Sequence, residues 1–178
     1  LASQLELINK ERQFLLKEAA AHAIAGFEPF DFAQGKKILI VGHESYQEGV
    51  IGLVAGKLVE AFYRPAIVLS LGEVTSKASV RSVSGFDIVQ FLRSHHEHFI
   101  TLGGHPMAAG FSIETAKIAQ LQEVLEVSAD TLLSTEVLTR SLKIDLEIPF
   151  AILDEKLYQS LQQLAPFGMG NPEPVFAT

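Results

Sequence analysis

The sequence predicts an α/β domain on a mixed, mostly parallel sheet of four to five strands with flanking helices, followed by part of a second, β-rich domain. Three observations carry this reading. Short branched apolar runs at 36–41 and 66–70 bracket a helical pattern at 50–62. That is the β-α-β order of a parallel pair with a right-handed crossover. Helical periodicity then returns after the later strand signals, at 86–99 and from 114 to 133. Past residue 134 the apolar runs give way to alternation: Leu142, Ile144, Leu146 and Ile148 are separated by Lys143, Asp145 and Glu147. Such a strand has one buried and one wet face.

Composition sets the outer limits. With 178 residues the chain suits one domain, or one plus a fragment, and can bury a real core. A hydrophobic content of 48% with 20% charged residues argues against long disorder. No apolar run approaches the roughly 20 residues that cross a bilayer, so no membrane association is expected. The absence of cysteine excludes disulfides and thiolate metal sites and fits a reducing compartment, which suggests the cytoplasm. A net charge of −7 argues against a coat of nucleic-acid-binding charge but leaves room for a local phosphate site. The chain opens at Leu1 inside a helical pattern and ends at Thr178 as a strand begins. Both ends are expected to be cuts in a longer protein.

In order, residues 1–26 read as an amphipathic helix with Leu5, Ile8, Leu15, Leu16, Ala19 and Ala23 near one face, stopped by Gly26 and Pro29. The strand at 36–41 is followed by a loop at 42–48. Gly49 opens the helix at 50–62, with Ile51, Val54, Leu58 and Val59 inward. Arg64-Pro65 ends it before the strand at 66–70. A turn at 72–76 precedes a third strand at 77–83, and Ser84-Gly85 leads into the helix at 86–99. A glycine turn comes next, then a fourth strand at 108–113 and a helix started by Glu114-Thr115. A domain boundary is expected near 135–141, and a helix at 154–164. Three prolines and two glycines at 166–174 mark an ordered loop or an exposed linker.

The stretch 102–113 holds the first candidate chemistry. Gly103 and Gly104 can take positive φ and admit backbone N–H groups close to a ligand. Successive N–H groups in such a turn form an anion-binding concavity. His105 stands at its lip, able to donate a hydrogen bond or a proton near neutral pH. Ala108-Ala109-Gly110 leave space for a flat ligand or another surface. The same residues also suit a plain turn whose histidine faces water. Upstream, Ser79 and Arg81 share a strand face while Ser82 takes the other. Arg81 offers a planar fork that holds a phosphate at two oxygens. The elements carrying Arg81 and His105 flank one helix and are expected to meet at one sheet edge.

Other clusters carry less. His95 and His98 could share a helix face, but Ile88, Leu92 and Phe99 put His95 on the buried side and no second ligand cluster appears, so no metal site is expected. His43-Glu44 read as polar loop residues or as part of a binding edge. No Ser-His-Asp order, phosphate-binding Walker loop or dinucleotide fingerprint is present. The spacing Gly49, Gly52, Gly56 lacks the phosphate-loop Lys and Ser/Thr and suits close helix packing.

Taken together, these residues resemble a known family. Gly103-Gly104-His105-Pro106-Met107-Ala108-Ala109-Gly110 resembles the G-G-H-x-x-A-A-G signature of the DHH-associated domain of phosphoesterases. Ser79-Val80-Arg81-Ser82 with Gly85-Phe86-Asp87 is similar to the segment just upstream in the RecJ-type single-strand-specific exonucleases. Gly49-Val50-Ile51-Gly52-Leu53-Val54-Ala55 resembles their G-V-I-G-I-V-A helix start, and Asn9 with Arg12-Gln13 their connector helix. Pro166-Phe167-Gly168-Met169-Gly170-Asn171-Pro172-Glu173-Pro174 resembles the entry to their oligonucleotide-binding-fold domain. Tyr46-Gln47 depart from the family's Trp-His, and Gln47 cannot titrate.

The resemblance implies a division into 1–28, a connector from an N-terminal DHH domain; 36–134, a nucleic-acid-binding DHH-associated domain; and 141–178, the start of a truncated oligonucleotide-binding fold. It implies a 5′-to-3′ single-stranded-DNA exonuclease of recombination and repair, with a Mn2+ or Mg2+ centre on the DHH domain and none in this chain. Arg81 and His105 are the catalytic candidates it implies: Arg81 would clamp phosphate with Ser79 and Ser82 assisting, His105 would stabilise phosphate charge or orient the substrate end, and Gly103 and Gly104 would admit the backbone. Single-stranded DNA, and with it single-strand-binding protein, are the implied partners. The alternatives are a relative that degrades oligoribonucleotides or adenosine bis-phosphates and a non-hydrolytic single-strand-binding replication factor. The loop at 166–174 speaks against the smaller nucleotide-degrading enzymes.

Overall fold

The computed structural model describes residues 2–27 and 35–178. It forms two compact units, residues 1–139 and 140–178. In the first unit, helix α1 (Ala2–Ala25) is exposed over its first half and buries only Ala20 and Ala23. Pro29, its expected stop, lies outside the described residues. Strand β1 (Leu39–His43), helix α2 (Glu48–Phe62) and strand β2 (Ala66–Ser70) form the expected crossover, and β1 and β2 pair in parallel. Tyr63 caps α2 in the left-handed conformation, φ 51°, and Arg64 donates to the carbonyls of Tyr63 and Leu138 at 3.0 and 2.8 Å.

The sheet has five strands in the order β1-β2-β3-β5-β4, where β3 is Thr75–Arg81, β4 Thr101–His105 and β5 Ala108–Glu114. It is mixed, flanked by helices and of the expected size, but only β1–β2 is parallel. The pairings β2–β3, β3–β5 and β4–β5 are antiparallel, so the expectation of a mostly parallel sheet is corrected. The physical reason is loop length. Only residues 71–74 join β2 to β3 and only Pro106-Met107 join β4 to β5, whereas a parallel return needs a dozen residues or more. The glycine turn at 103–105 is likewise corrected: those residues lie in the edge strand β4.

Two cores sandwich the sheet. On one face α1 and α2 cover β1 and β2, burying Ile51, Val54, Leu58, Leu39, Ala66 and Val68. On the other, helix α3 (Ile88–Arg93) and helix α4 (Ile118–Leu132) pack Ile88, Leu92, Leu121 and Leu125 against Ile67, Val80, Phe111 and Ile113. Helix α3 is shorter than the expected 86–99. Asp87 caps it, accepting from the Gln90 N–H at 2.9 Å, and a 3-10 turn at His96–His98 follows.

In the second unit, only Leu146–Glu147 (β6) of the expected strand at 142–148 pairs, in parallel with Phe176–Ala177 (β7). Helix α5 (Glu155–Gln162) is capped by Asp154. Asn171 donates to the carbonyls of Leu164 and Pro166, ordering the proline-glycine loop. Among the described residues, no helix is long and apolar enough to cross a membrane.

Candidate nucleic-acid interface

Strand β3 alternates strictly. Ser76, Ala78 and Val80 are buried, while Thr75, Lys77, Ser79 and Arg81 look to the opposite face. Register carries that polar face across the sheet. Arg81 pairs with Ala108, and Ala108 with His105, so the three form one row. Directly paired residues project to the same side. Arg81 and His105 are therefore two strand steps apart, about 9–10 Å between backbones, with only the Ala108 methyl between them. The next row is Ser79, Gly110, Gly103, and the one after is Lys77, Ser112, Thr101. Helix α2 covers this face at β1 and β2 and reaches β3, leaving the part on β5 and β4 uncovered.

Arg81 is half-buried. Its Nη1 donates to the Val80 carbonyl at 2.9 Å and to Ser79 Oγ at 3.4 Å. A Cβ at Gly52 would lie 3.0 Å from Ser79 Oγ and 3.1 Å from Arg81 Nη2. The bare helix surface at Gly52 thus lets α2 ride over Arg81. Gly49 and Gly56 have open space at the same test, so the close-packing reading holds for Gly52 alone. His105 is exposed. Its position is set by the hairpin turn: the Pro106 carbonyl accepts from the Ile88 N–H, and the Met107 carbonyl from the Ser82 N–H, both at 3.0 Å. The first N–H groups of a helix have no partner within it, so α3 supplies a natural anchor for this turn.

Ser82 is placed differently from a phosphate donor. It is buried, and its hydroxyl donates to the Phe86 carbonyl at 2.7 Å, so it ties the segment after β3 and does not reach the open face. The paired-glycine concavity is also corrected. Gly104 alone has positive φ, 147°, and its missing Cβ leaves room for Ala108 O and Ala109 Cα of the neighbouring strand. Gly104 serves the hairpin. Gly103 has ordinary φ, and nothing stands within 4 Å of a Cβ built there.

The remaining clusters are structural. His95 bonds Ser128 Oγ through Nε2 at 2.9 Å and lies 3.0 Å from the Phe91 carbonyl through Nδ1. The Glu97 carboxyl is held below the usual carboxylate range, first by a hydrogen bond to its own backbone and then by the adjacent histidines. Among the described residues, no three His, Asp or Glu side chains are grouped to hold a metal ion. Tyr46 is buried with its hydroxyl 2.7 Å from His22 Nδ1, and His43 packs edge-on to His22. Desolvation raises the Tyr46 pKa. Burial likewise lowers that of Arg64. The row of Lys77, Ser112 and Thr101 was not singled out from the sequence, although the alternation of residues 75–81 carries the signal.

This sheet and its glycine-histidine hairpin define a class. Residues 35–132 match the family described as the DHHA1 domain, and residues 144–178 match that described as the RecJ OB domain. The chain belongs to the DHHA1 family, joined to a RecJ OB segment. Among its relatives is the single-stranded-DNA-specific exonuclease RecJ of Bacillus subtilis, 34% identical over 98% of this chain and 22% of the relative. The RecJ of Thermus thermophilus is 30% identical over 99% of this chain and 25% of its own length. The crystal structure of Thermus thermophilus RecJ in complex with Mn2+ superposes with a TM-score of 0.83 at 28% identity, covering 98% of this chain and 25% of that one. The same protein is also solved in complex with Mg2+. The chain thus spans about a quarter of the length of these relatives.

Proposed function

We propose that this chain is the strand-clamping part of a cytoplasmic, single-stranded-DNA-specific 5′-to-3′ exonuclease of recombination and repair. The observation that carries the reading is the row Arg81–Ala108–His105, which runs from the edge of α2 on β3 onto the uncovered part of the face at β5 and β4. A guanidinium and an imidazole flank a methyl-sized floor, and a phosphodiester group lying on Ala108 meets both. Arg81 supplies two parallel N–H donors to the phosphate oxygens. Ser79, already bonded to Arg81, orients the guanidinium and offers its hydroxyl, while His105 neutralises charge from the other side. Gly103 lets the sugar-phosphate backbone approach the sheet. Ser82, Gly104 and the Pro106-Met107 turn hold these groups in place.

The described residues do not fit a Mn2+ or Mg2+ centre, because no three His, Asp or Glu side chains among them are grouped to hold one. In this reading hydrolysis is assigned to a DHH domain, as the RecJ relatives suggest, and this chain holds and positions the strand. We assign 1–28 to the connector, 36–134 to the clamp and 141–178 to the beginning of the oligonucleotide-binding fold. Two or three cations on an acidic chain suit a local clamp. Single-strand-binding protein is the further partner that this reading implies.

The test is Arg81→Ala in the full-length protein. Binding of single-stranded DNA weakens across all sequences, and the slope of log affinity against log salt falls by about 0.7, the value for one phosphate on a single strand. Cleavage slows while the thermal midpoint holds. Unchanged binding and cleavage would remove Arg81 from the interface.

A further inference from the structure

A shallow groove of about 450 Å³ runs beside the clamp row, lined by Glu48 and Ile51 of α2, Lys77 and Ser79 of β3, Thr101 of β4, and Ser112 of β5. Its polar atoms converge. Thr101 Oγ1 and Ser112 Oγ are 2.6 Å apart, and Lys77 Nζ sits 2.7 Å from Glu48 Oε2. Lys77, Ser112 and Thr101 form one row, two rows along the strands from Arg81, Ala108 and His105. At about 3.3 Å per residue, the two rows are about 13 Å apart. The row between them is Ser79, Gly110 and Gly103, which leaves an almost bare floor.

We propose that this groove is a second phosphate subsite, in which Lys77 and the Thr101–Ser112 hydroxyl pair hold a phosphodiester further along the strand, and that Glu48 competes with that phosphate for Lys77. The inference rests on the reading of this face as a strand clamp. The Lys77–Glu48 pair is more than half exposed on both sides, 58% and 57%, and exposed pairs of this kind are worth little. Lys77 is therefore free to exchange the carboxylate for a phosphate. The hydroxyl pair then has one O–H left to donate to the incoming oxygen, because only one of its two hydroxyl protons lies between the oxygens. Glu48, released from Lys77, faces the same phosphate and repels it. The subsite is attenuated by design of its charges, and a strand too short to reach it gains nothing from it.

The experiment uses the full-length protein and a nuclease-resistant phosphorothioate single-stranded DNA oligonucleotide, with affinity measured by anisotropy over a salt series. Lys77→Gln weakens binding and lowers the salt slope by about 0.7. Glu48→Gln tightens binding. A dinucleotide, which spans only the first row, feels neither substitution. Both variants delete the same ion pair, so a purely structural role would move both affinities in the same direction. Shifts of equal sign, or no shift in either while Arg81→Ala still weakens binding, overturn the subsite and leave the clamp standing. Silence in all three variants overturns the clamp as well.

Discussion

Arg81 and His105 stand in one cross-sheet row, on strands that are not hydrogen-bonded to each other, because Ala108 pairs with both. The middle strand thereby sets the separation of the guanidinium and the imidazole. Its residue there is the smallest that keeps a side chain. In the clamp we propose, a larger group at 108 would occupy the place of the phosphate between the two donors. Ala108→Leu should therefore weaken single-stranded DNA binding as strongly as Arg81→Ala while leaving the overall charge unchanged. Anisotropy with a short oligonucleotide checks it, and full affinity in the variant removes the row from the interface.

The two glycines of the motif should part company. Gly104→Ala places a Cβ against Ala108 O and Ala109 Cα at a φ of 147°, which strains the hairpin by about 1–3 kcal/mol. Gly103→Ala meets open space and ordinary φ, so stability holds or rises by up to about 1 kcal/mol, since Gly is the costlier residue in a strand. DNA binding nevertheless falls, because the methyl lifts the backbone of the ligand off the sheet. Urea titrations paired with binding measurements separate the two. Equal destabilisation would show that Gly103 also serves the fold.

Tyr46 gives the protein an alkaline limit. Desolvation raises its folded-state pKa above the ordinary 10.0. The native state then keeps the phenol proton at a pH where the unfolded chain has lost it. Stability is fully present below pH 10 and is lost as pH rises through the raised folded-state value. Tyr46→Phe loses the contact to His22 Nδ1 at 2.7 Å, costing about 1 kcal/mol at neutral pH, and flattens the alkaline fall. Thermal melts across pH 8 to 11 check it; an identical alkaline profile in the variant would assign the fall to other groups.

Asn171 should control order in the proline-glycine loop. Its side-chain amide donates to Leu164 O at 2.8 Å and to Pro166 O at 3.0 Å, while its backbone exchanges two bonds with Gly168. Asn171→Ala removes the two side-chain bonds, about 0.5–1.5 kcal/mol each. Hydrogen exchange should accelerate over residues 164–171 and leave strands β1 to β5 protected. Uniform acceleration across both units would refute this local role.

Much of this architecture was legible before any coordinates. The branched runs at 36–41 and 66–70, the helical spacing of Val54 and Leu58, and the alternation of Lys77, Ser79 and Arg81 are local patterns of side-chain period, and period follows from backbone geometry alone. Arg81 and His105 could be singled out as candidates for a similar reason: their chemistry is intrinsic, and their neighbours form family-like motifs. Strand β4 was not. Two glycines and a histidine carry no strand period, and β4 exists because the two-residue Pro106-Met107 turn folds it onto β5. Helix α3 ends at Arg93, and just beyond it His95 turns inward to Ser128, a contact 33 residues away that local periodicity does not contain.

The sequence by itself determined most of the element types, β4 excepted, the acidic balance and the identity of the cationic and small residues. Tertiary structure decided which of them share a row. Insertion of β5 between β3 and β4 put Ala108 between Arg81 and His105, turned Ser82 into the core and set Lys77 beside Ser112. Strand neighbours are chosen by loop closure and by burial of both sheet faces. Those are long-range terms that no local pattern of residues contains.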